Sequence, residues 1–342
     1  MTRETGPDQS PSDRWGRFTR WLRRRRRWLV GVAAGLLAVV MLVAYALRDP
    51  SPVGYFTSAQ AHDRFLAAYD EAMAELPEPD RTLDVRTSYG VVRLYHFTGA
   101  SPAAAPLLLL PGRAAASPVW ADNLPALLRV RSVYTVDLLG EPGQSIQQRP
   151  INTPADHAQW LHEVLEELPE PRIHLFGLSF GGWTAMNLAL HRPEKVASVL
   201  LLDPVLVFAD LPLEVIIRSI PASIRWLPKS WRDDFASWTA NGAPVEDVPV
   251  ARMIEAGMQT YAMKLSPPTR PSEQDLAGLR SPTLVLLAGE SRMHDSAAAA
   301  EVARRTLPNG TVKVYPDASH AINGEYPDQI AADVAAFLAG LE

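Results

Sequence analysis

A serine set in Gly177-Leu178-Ser179-Phe180-Gly181-Gly182 and a histidine far downstream, His320, are the pair in this chain best suited to do chemistry. A serine hydroxyl is a weak nucleophile until a base removes its proton, and the usual base is histidine. The apolar run Ile173–Phe176 reads as a short buried strand, and Trp183–His191 reads as a helix. Ser179 therefore stands where a strand must turn sharply into a helix. Small residues on either side leave room for a crowded, strained backbone, which holds Oγ out over the end of a sheet. The helix N-terminus behind it offers a backbone N–H to a developing oxyanion. The chemistry implied is acyl transfer. His320 lies in Pro316-Asp317-Ala318-Ser319-His320, just after the last strand candidate. His157 and His162 fall on a helix, His191 ends one, and His174 lies within a strand, so core or surface roles suit them better.

The elements that must position this pair follow from hydrophobic patterning. Ser58 can cap a helix running to about Leu76, with Phe65, Leu66, Tyr69, Met73 and Leu76 on one stripe. Arg81–Thr87 and Val91–Phe97 read as an antiparallel hairpin turning at Ser88-Tyr89-Gly90. Strand candidates then alternate with helices: Leu107–Leu110, Val133–Asp137, Ile173–Phe176, Val199–Leu202, Thr283–Leu287 and Thr311–Tyr315. Helices are expected near 118–129, 154–168, 182–192, 296–306 and 327–340. Such alternation marks a mostly parallel sheet covered on both faces. The interval from Pro204 to Arg280 breaks it, with short helical patterns and no strand.

With these elements in place, Gly177-x-Ser179-x-Gly181 resembles the nucleophile elbow of the α/β-hydrolases. The likeness covers about residues 80–340. Val136-Asp137-Leu138-Leu139-Gly140, Trp160-Leu161 and the elbow itself look like bacterial carboxylesterases of that fold. The resemblance implies an α/β-hydrolase fold with a mostly parallel eight-stranded sheet, divided into a core of 81–204 and 281–342 and a helical cap of 205–280. A cap holding Trp226, Trp231, Trp238, Met253, Met258 and Met263 would suit an apolar ester substrate, the alternatives being a thioesterase, lactonase or carbon–carbon-bond hydrolase with the same residues, or a non-catalytic binding module of the same fold. The resemblance also implies a carboxylate to orient His320, usually supplied after the seventh strand. Here that turn reads Gly289-Glu290-Ser291-Arg292-Met293-His294-Asp295, with Arg292 or Ser291 where the acid is expected. Asp203, at the end of the sixth strand, is the preferred candidate, since strand C-termini of a parallel sheet face one crevice. Asp295 is the alternative, although it can equally cap the helix at 296, and Glu290 is a third. Asp137 is expected to brace loops. The oxyanion donors would be the backbone N–H groups of Phe180 and Arg113, the latter in Leu110-Pro111-Gly112-Arg113. A serine nucleophile of this kind requires no cofactor and no metal, and no zinc-protease, phosphate-loop or dinucleotide motif is found.

Charge and composition bound the partners. Residues 1–27 hold nine Arg and three acids, a balance of +6; with −5 for the whole, the remainder carries −11. An acidic body argues against nucleic acid. The absence of cysteine excludes disulfides and thiolate chemistry. After the basic segment 1–27 come twenty uncharged residues, 28–47, about 30 Å long as a helix and enough to cross a bilayer core. Behind Arg23–Arg27 they predict a transmembrane signal anchor, with the N-terminus cytoplasmic and the catalytic part on the far side. A competing expectation is export by a signal opening at Arg25-Arg26-Arg27 and cleaved after Ala44-Tyr45-Ala46. Residues 48–80 would be a linker and one helix.

Overall fold

The computed structural model describes residues 28, 30–32, 35–41 and 51–341. It divides into two compact units, one ending at Ser51 and one beginning at Pro52. In the first, the described residues between 28 and 41 are helical and exposed. Residues 29, 33, 34 and 42–47 of the expected membrane span lie outside the described residues. Among the described residues, no helix is long and apolar enough to cross a membrane.

In chain order the second unit opens with strand β1 (Tyr55–Phe56) and helix α1 (Ala59–Met73). Ser58 caps α1 by accepting the Ala61 N–H. The hairpin follows as β2 (Arg81–Thr87) and β3 (Gly90–Phe97), then β4 (Leu107–Leu110), α2 (Leu124–Leu128), β5 (Val133–Val136) and β6 (Ile146–Gln147). Next come α3 (Pro154–Glu167), β7 (Ile173–Leu178), α4 (Phe180–His191) and β8 (Val196–Leu202). The insertion holds α5 (Leu213–Ser223), α6 (Lys229–Thr239), α7 (Pro249–Thr260), β9 (Tyr261–Ala262) and α8 (Glu273–Gly278). β10 (Thr283–Ala288), α9 (Ser296–Thr306), β11 (Gly310–Tyr315), α10 (Ile322–Glu325) and α11 (Pro327–Ala339) complete the chain.

The sheet runs β11-β10-β8-β7-β4-β5-β3-β2. The six strands from β11 to β5 are parallel to their neighbours, while β2 and β3 are antiparallel. The eight expected strands are joined by a ninth, β6, whose two residues pair with Gly90 and Val91. Four consecutive leucines form β4, all fully buried, because a central parallel strand is covered on both faces. Their side chains alternate: Leu108 and Leu110 join the cluster under α3, α4 and α9, and Leu107 and Leu109 join that of α1, Trp120 and α11. At about 1.5–3 kcal/mol for each buried leucine, this short run is a substantial anchor for both layers.

The insertion was expected to lack strands. It contains one, β9, which pairs antiparallel with β1 and so ties the start of the unit to the end of the insertion. Its helices divide. Met253 of α7 is buried against Phe65 and Tyr69 of α1 as part of the core, whereas α5 leaves Leu213, Ile216, Ile217 and Ile220 exposed.

Parallel strands deliver their C-terminal ends to one edge, and loops collect there. Asp137 braces them from the end of β5. Its Oδ1 accepts from Ser117 N–H (2.9 Å) and Ser117 Oγ–H (2.7 Å), and its Oδ2 from Gln144 N–H (2.8 Å) and Tyr69 OH (2.9 Å). Burial pushes this carboxyl's pKa up, against the pull of those hydrogen bonds. Asp137→Ala would strand four donors in a dry site. We expect it to lower the free energy of unfolding by about 3–5 kcal/mol in urea titrations; a loss below about 1 kcal/mol would show that the loops do not depend on it.

Candidate active site

The strand order determines what meets at this edge. β4 has β5 on one side and β7 on the other, so the chain reverses direction of travel across the sheet between them. A crevice opens at such a switch point. The turns after β4 and β7 flank it, bringing Gly112 beside Ser179: a Cβ added at Gly112 would lie 3.6 Å from the Ser179 Cβ.

Ser179 adopts φ 52°, ψ −113°, a strained left-handed conformation for a residue with a side chain. The neighbouring glycines explain how the chain tolerates it. A Cβ at Gly177 would strike the Gly181 carbonyl, and one at Gly181 would strike the Leu110 carbonyl. The turn is pinned by Ser179 N–H donating to Leu202 O (3.0 Å) and by Trp183 N–H donating to Ser179 O (3.2 Å). Phe180 opens α4, so its N–H has no intrahelical acceptor and is available to a ligand.

His320 lies in the loop after β11, 16% exposed at its side chain. Its Nε2 is 3.0 Å from Ser179 Oγ and its Nδ1 is 2.6 Å from Asp203 Oδ2. With the proton on Nδ1, the ring donates to the aspartate and accepts from the serine. Two contacts hold the loop: Ser319 donates from N–H and Oγ–H to Glu325, and His320 N–H donates to Thr239 O of the insertion (3.3 Å).

Asp203 is fully buried at the end of β8, with φ 42°. Beyond His320 it accepts from Ala288 N–H (3.0 Å) and Ser291 Oγ–H (2.7 Å). His294 Nε2 lies 3.3 Å from its Oδ1. Burial alone would raise the Asp203 pKa; the facing His294 and His320 rings outweigh it and hold the carboxyl below the ordinary range. The other two acid candidates are not brought to the site. Asp295 caps α9 by accepting the Ala298 N–H (3.0 Å), and Glu290 makes no hydrogen bond or ion pair with His320. Arg292, standing where an acid was expected, donates to Asn241 Oδ1 (3.1 Å) and lies over the Trp238 ring.

On the other flank, Arg113 follows Gly112 in the turn after β4. Its guanidinium sits 4.3 Å from the centre of the Phe180 ring, with Nη1 3.3 Å from Glu141 Oε1. Glu141, wholly buried, also accepts the Ala114 N–H (2.8 Å). Ala114 has φ 57°, so this carboxylate holds a strained turn in place and largely neutralises Arg113. Burial raises the Glu141 pKa, and Arg113 and the Ala114 N–H oppose that rise. Behind the elbow helix, burial and nearby Arg113 depress His157 to about 4, leaving a neutral ring edge-on to Phe180 and Trp183. His174 is likewise a buried strand residue, 2.7 Å from Ser198 Oγ.

The sequence did not single out Glu141, His294 or Thr239 as neighbours of the site, and it marked Ser291 only as standing where an acid was expected. Their signals are faint, because each acts through a contact across the fold. The aromatic and methionine residues of the insertion are dispersed: Trp226 and Trp231 are exposed, Met253 is core, and Met263 reaches Arg113 Nη1 (3.9 Å). A cavity of about 630 Å³ lies beside the outer end of α4, lined by Trp183, Asn187, His191, Thr269 and Arg280, and touches none of Ser179, His320 or Asp203. Among the described residues no cluster of ligating side chains could hold a metal ion.

Comparison with known proteins bears on the family and the fold. A model described as the alpha/beta hydrolase family matches residues 107–333. Carboxylesterase YbfK of Bacillus subtilis is 26% identical over 301 residues, covering 83% of this chain and 97% of that protein. The uncharacterized carboxylesterase nap of Bacillus subtilis is 26% identical over 282 residues, 80% and 92% respectively. The crystal structure of carboxylesterase CesB (YbfK) from Bacillus subtilis superposes with a TM-score of 0.75 at 24% identity, covering 82% of this chain and 99% of that one.

The depressed Asp203 pKa carries a consequence for stability. Its folded pKa lies below its unfolded value of about 3.9, so its stabilising contribution is complete above that value. The contribution is lost as pH falls through the folded pKa. Asp137 and Glu141, raised by burial, act with the opposite sign and favour the folded state at low pH. We expect the difference in Tm between wild type and Asp203→Asn to shrink as pH is lowered from about 6 to about 3 in calorimetry. A difference constant across that range would mean that Asp203 is not held ionised by the fold.

Proposed function

Since the chain belongs to the alpha/beta hydrolase family, a hydrolase with carboxylesterases among its relatives, we propose that it cleaves carboxylic esters through an acyl-enzyme. In this reading Ser179 is the nucleophile, His320 the general base and Asp203 the carboxylate that orients the imidazole. The observation that carries it is the continuous relay from Ser179 Oγ to His320 Nε2 (3.0 Å) and from His320 Nδ1 to Asp203 Oδ2 (2.6 Å). Ser179 Oγ attacks the ester carbonyl carbon as its proton passes to Nε2, and the carbonyl oxygen becomes an oxyanion facing the N–H groups of Phe180 and Arg113. Collapse expels the alcohol, which takes the proton from Nε2. Water then gives a proton to His320, attacks the acyl carbon and releases the acid.

The substrate is an ester without a free acidic group. Supporting this, the cation at the mouth, Arg113, is already paired with Glu141 and stacked on Phe180, leaving little charge to recruit an anion. Apolar esters fit best, with Met263 beside that mouth.

The catalytic unit is held at a membrane by residues 28–47, with the basic 1–27 segment in the cytoplasm and the unit on the opposite side. The support is the uncharged twenty-residue stretch directly behind Arg23–Arg27. Carbonate washing of membranes from expressing cells should leave the full chain in the pellet, with a C-terminal tag open to external protease in spheroplasts. Recovery of a processed chain in the soluble exported fraction would instead support cleavage near Ala46.

A fluorophosphonate probe tests the machinery without assuming a natural substrate. Labelling of the wild type should vanish in Ser179→Ala and His320→Ala. On a panel of esters, Asp203→Asn should lose about 10³–10⁴-fold in kcat, while Asp295→Asn, which alters only a helix cap, should stay within about twofold. Full turnover by Asp203→Asn would remove Asp203 from the relay.

A further inference from the structure

Asp203 is served from both sides, and only one side was foreseen. An ionised carboxylate has about four acceptor positions. On Oδ2 two are met by His320 Nδ1 (2.6 Å) and Ser291 Oγ (2.7 Å), and on Oδ1 one is met by Ala288 N–H (3.0 Å), with His294 Nε2 standing 3.3 Å from the same oxygen. Three of the four neighbours therefore come from the end of β10 and the turn that follows it, where Arg292 or Ser291 stands at the position expected for the acid.

His294 is the unusual member. Its side chain is 2% exposed, and its Nε2 has no aligned hydrogen-bond partner among the described residues. A buried N–H without an acceptor is unfavourable, and the nearest acidic acceptor is Asp203 Oδ1. Ser291 is oriented as well: its oxygen accepts the Met293 N–H (3.3 Å), which directs its proton to Asp203. The turn is fastened to the loop that carries His320, through Glu290 N–H donating to Ala318 O (2.9 Å) and Gly289 N–H donating to Tyr315 O (2.7 Å).

We propose that the turn after β10 is a positioning clamp on Asp203, in which His294 is a second imidazole donating to the carboxylate from the side opposite His320. The assignment rests on the reading of Asp203 as the acid of the relay. The clamp fixes the plane in which Asp203 receives the His320 Nδ1–H, and it spreads the negative charge over several donors. Removing the His294 donor concentrates that charge on the bond to His320. The imidazole then keeps its proton to higher pH, and fewer enzyme molecules hold a free base. The titratable groups facing Asp203 are His294, from the β10 turn, and His320, from the loop after β11. Arg292 is turned to Asn241 and Trp238, and Glu325 is taken by Ser319.

The test measures the rate of fluorophosphonate labelling of Ser179 against pH in wild type, His294→Phe, His294→Gln and Ser291→Ala, with a thermal melt for each. His294→Phe should label about tenfold more slowly, as expected for losing one hydrogen bond to a charged group. Its acid limb should move to higher pH. His294→Gln, whose amide N–H reaches about as far as Nε2, should restore most of the rate, which filling the space alone would not. Ser291→Ala deletes one oxygen without overpacking and should shift the limb in the same direction. A folded His294→Phe or Ser291→Ala protein with wild-type rate and profile would overturn the clamp. The proton NMR resonance of His320 Nδ1–H, read in unlabelled protein, separates this failure from failure of the catalytic reading. It should move in His294→Phe and return in His294→Gln even if no variant labels, and an unmoved resonance overturns the clamp by itself.

Discussion

The structure depends on the crowding where β7 becomes α4. The chain must reverse direction in so little space that neither Gly177 nor Gly181 has room for a Cβ, and Ser179 is forced to φ 52°. A free chain would relax such a turn. Here it is over-determined by buried elements on every side: β4 and β8 pair with β7, and α4 is buried along most of its length. The core therefore does more than stabilise. It keeps a hydroxyl in a position that local energetics disfavour, and the N–H groups at the start of α4 that lack intrahelical acceptors are part of the same arrangement.

Two buried carboxylates at this edge show how similar surroundings lead to different roles. Asp137 and Asp203 each end a parallel strand and each are approached by four donor groups. Those of Asp137 are neutral peptide and hydroxyl groups, so burial dominates and its pKa rises. Two of those facing Asp203 belong to imidazoles, and its pKa falls. An aspartate among fixed neutral donors is a brace for loops. One that faces a ring able to carry charge can respond to the proton that ring acquires.

Much of this was legible in the sequence because it rests on local patterns. The leucines of β4, the valine- and leucine-rich β8 and the alternation of strands with helices gave the sheet, and most boundaries moved only slightly, as where β7 continues to Leu178, whereas the helix expected over 118–129 is divided into a 3₁₀ turn at Ser117–Trp120 and the short α2. Ser179 and His320 were readable because each sits beside a strand end. Asp203 was readable as the preferred acid for the same reason, since Arg292 or Ser291 stands at the usual position, while Asp295 and Glu290 of the turn after β10 stayed open as alternatives until the fold was seen. The misses are contacts between distant parts of the chain. Two-residue strands such as β1 and β9 have no periodicity to detect. Glu141 looks like an ordinary loop acid, and His294 one of several histidines, until the fold buries them beside charged partners. The insertion's tryptophans and methionines were legible as a composition, but not in their division between core, surface and site, which packing decides.

The relay also has an order in time. On the proposed roles, the base stands 141 residues after the nucleophile and 117 after the acid. At about 5–20 residues per second, a ribosome needs roughly seven to thirty seconds to travel from Ser179 to His320. His320 takes its place only when β11 has joined the sheet at its edge beside β10. Until then, on the proposed roles, the emerging polypeptide carries its nucleophile without a base and would not attack an ester.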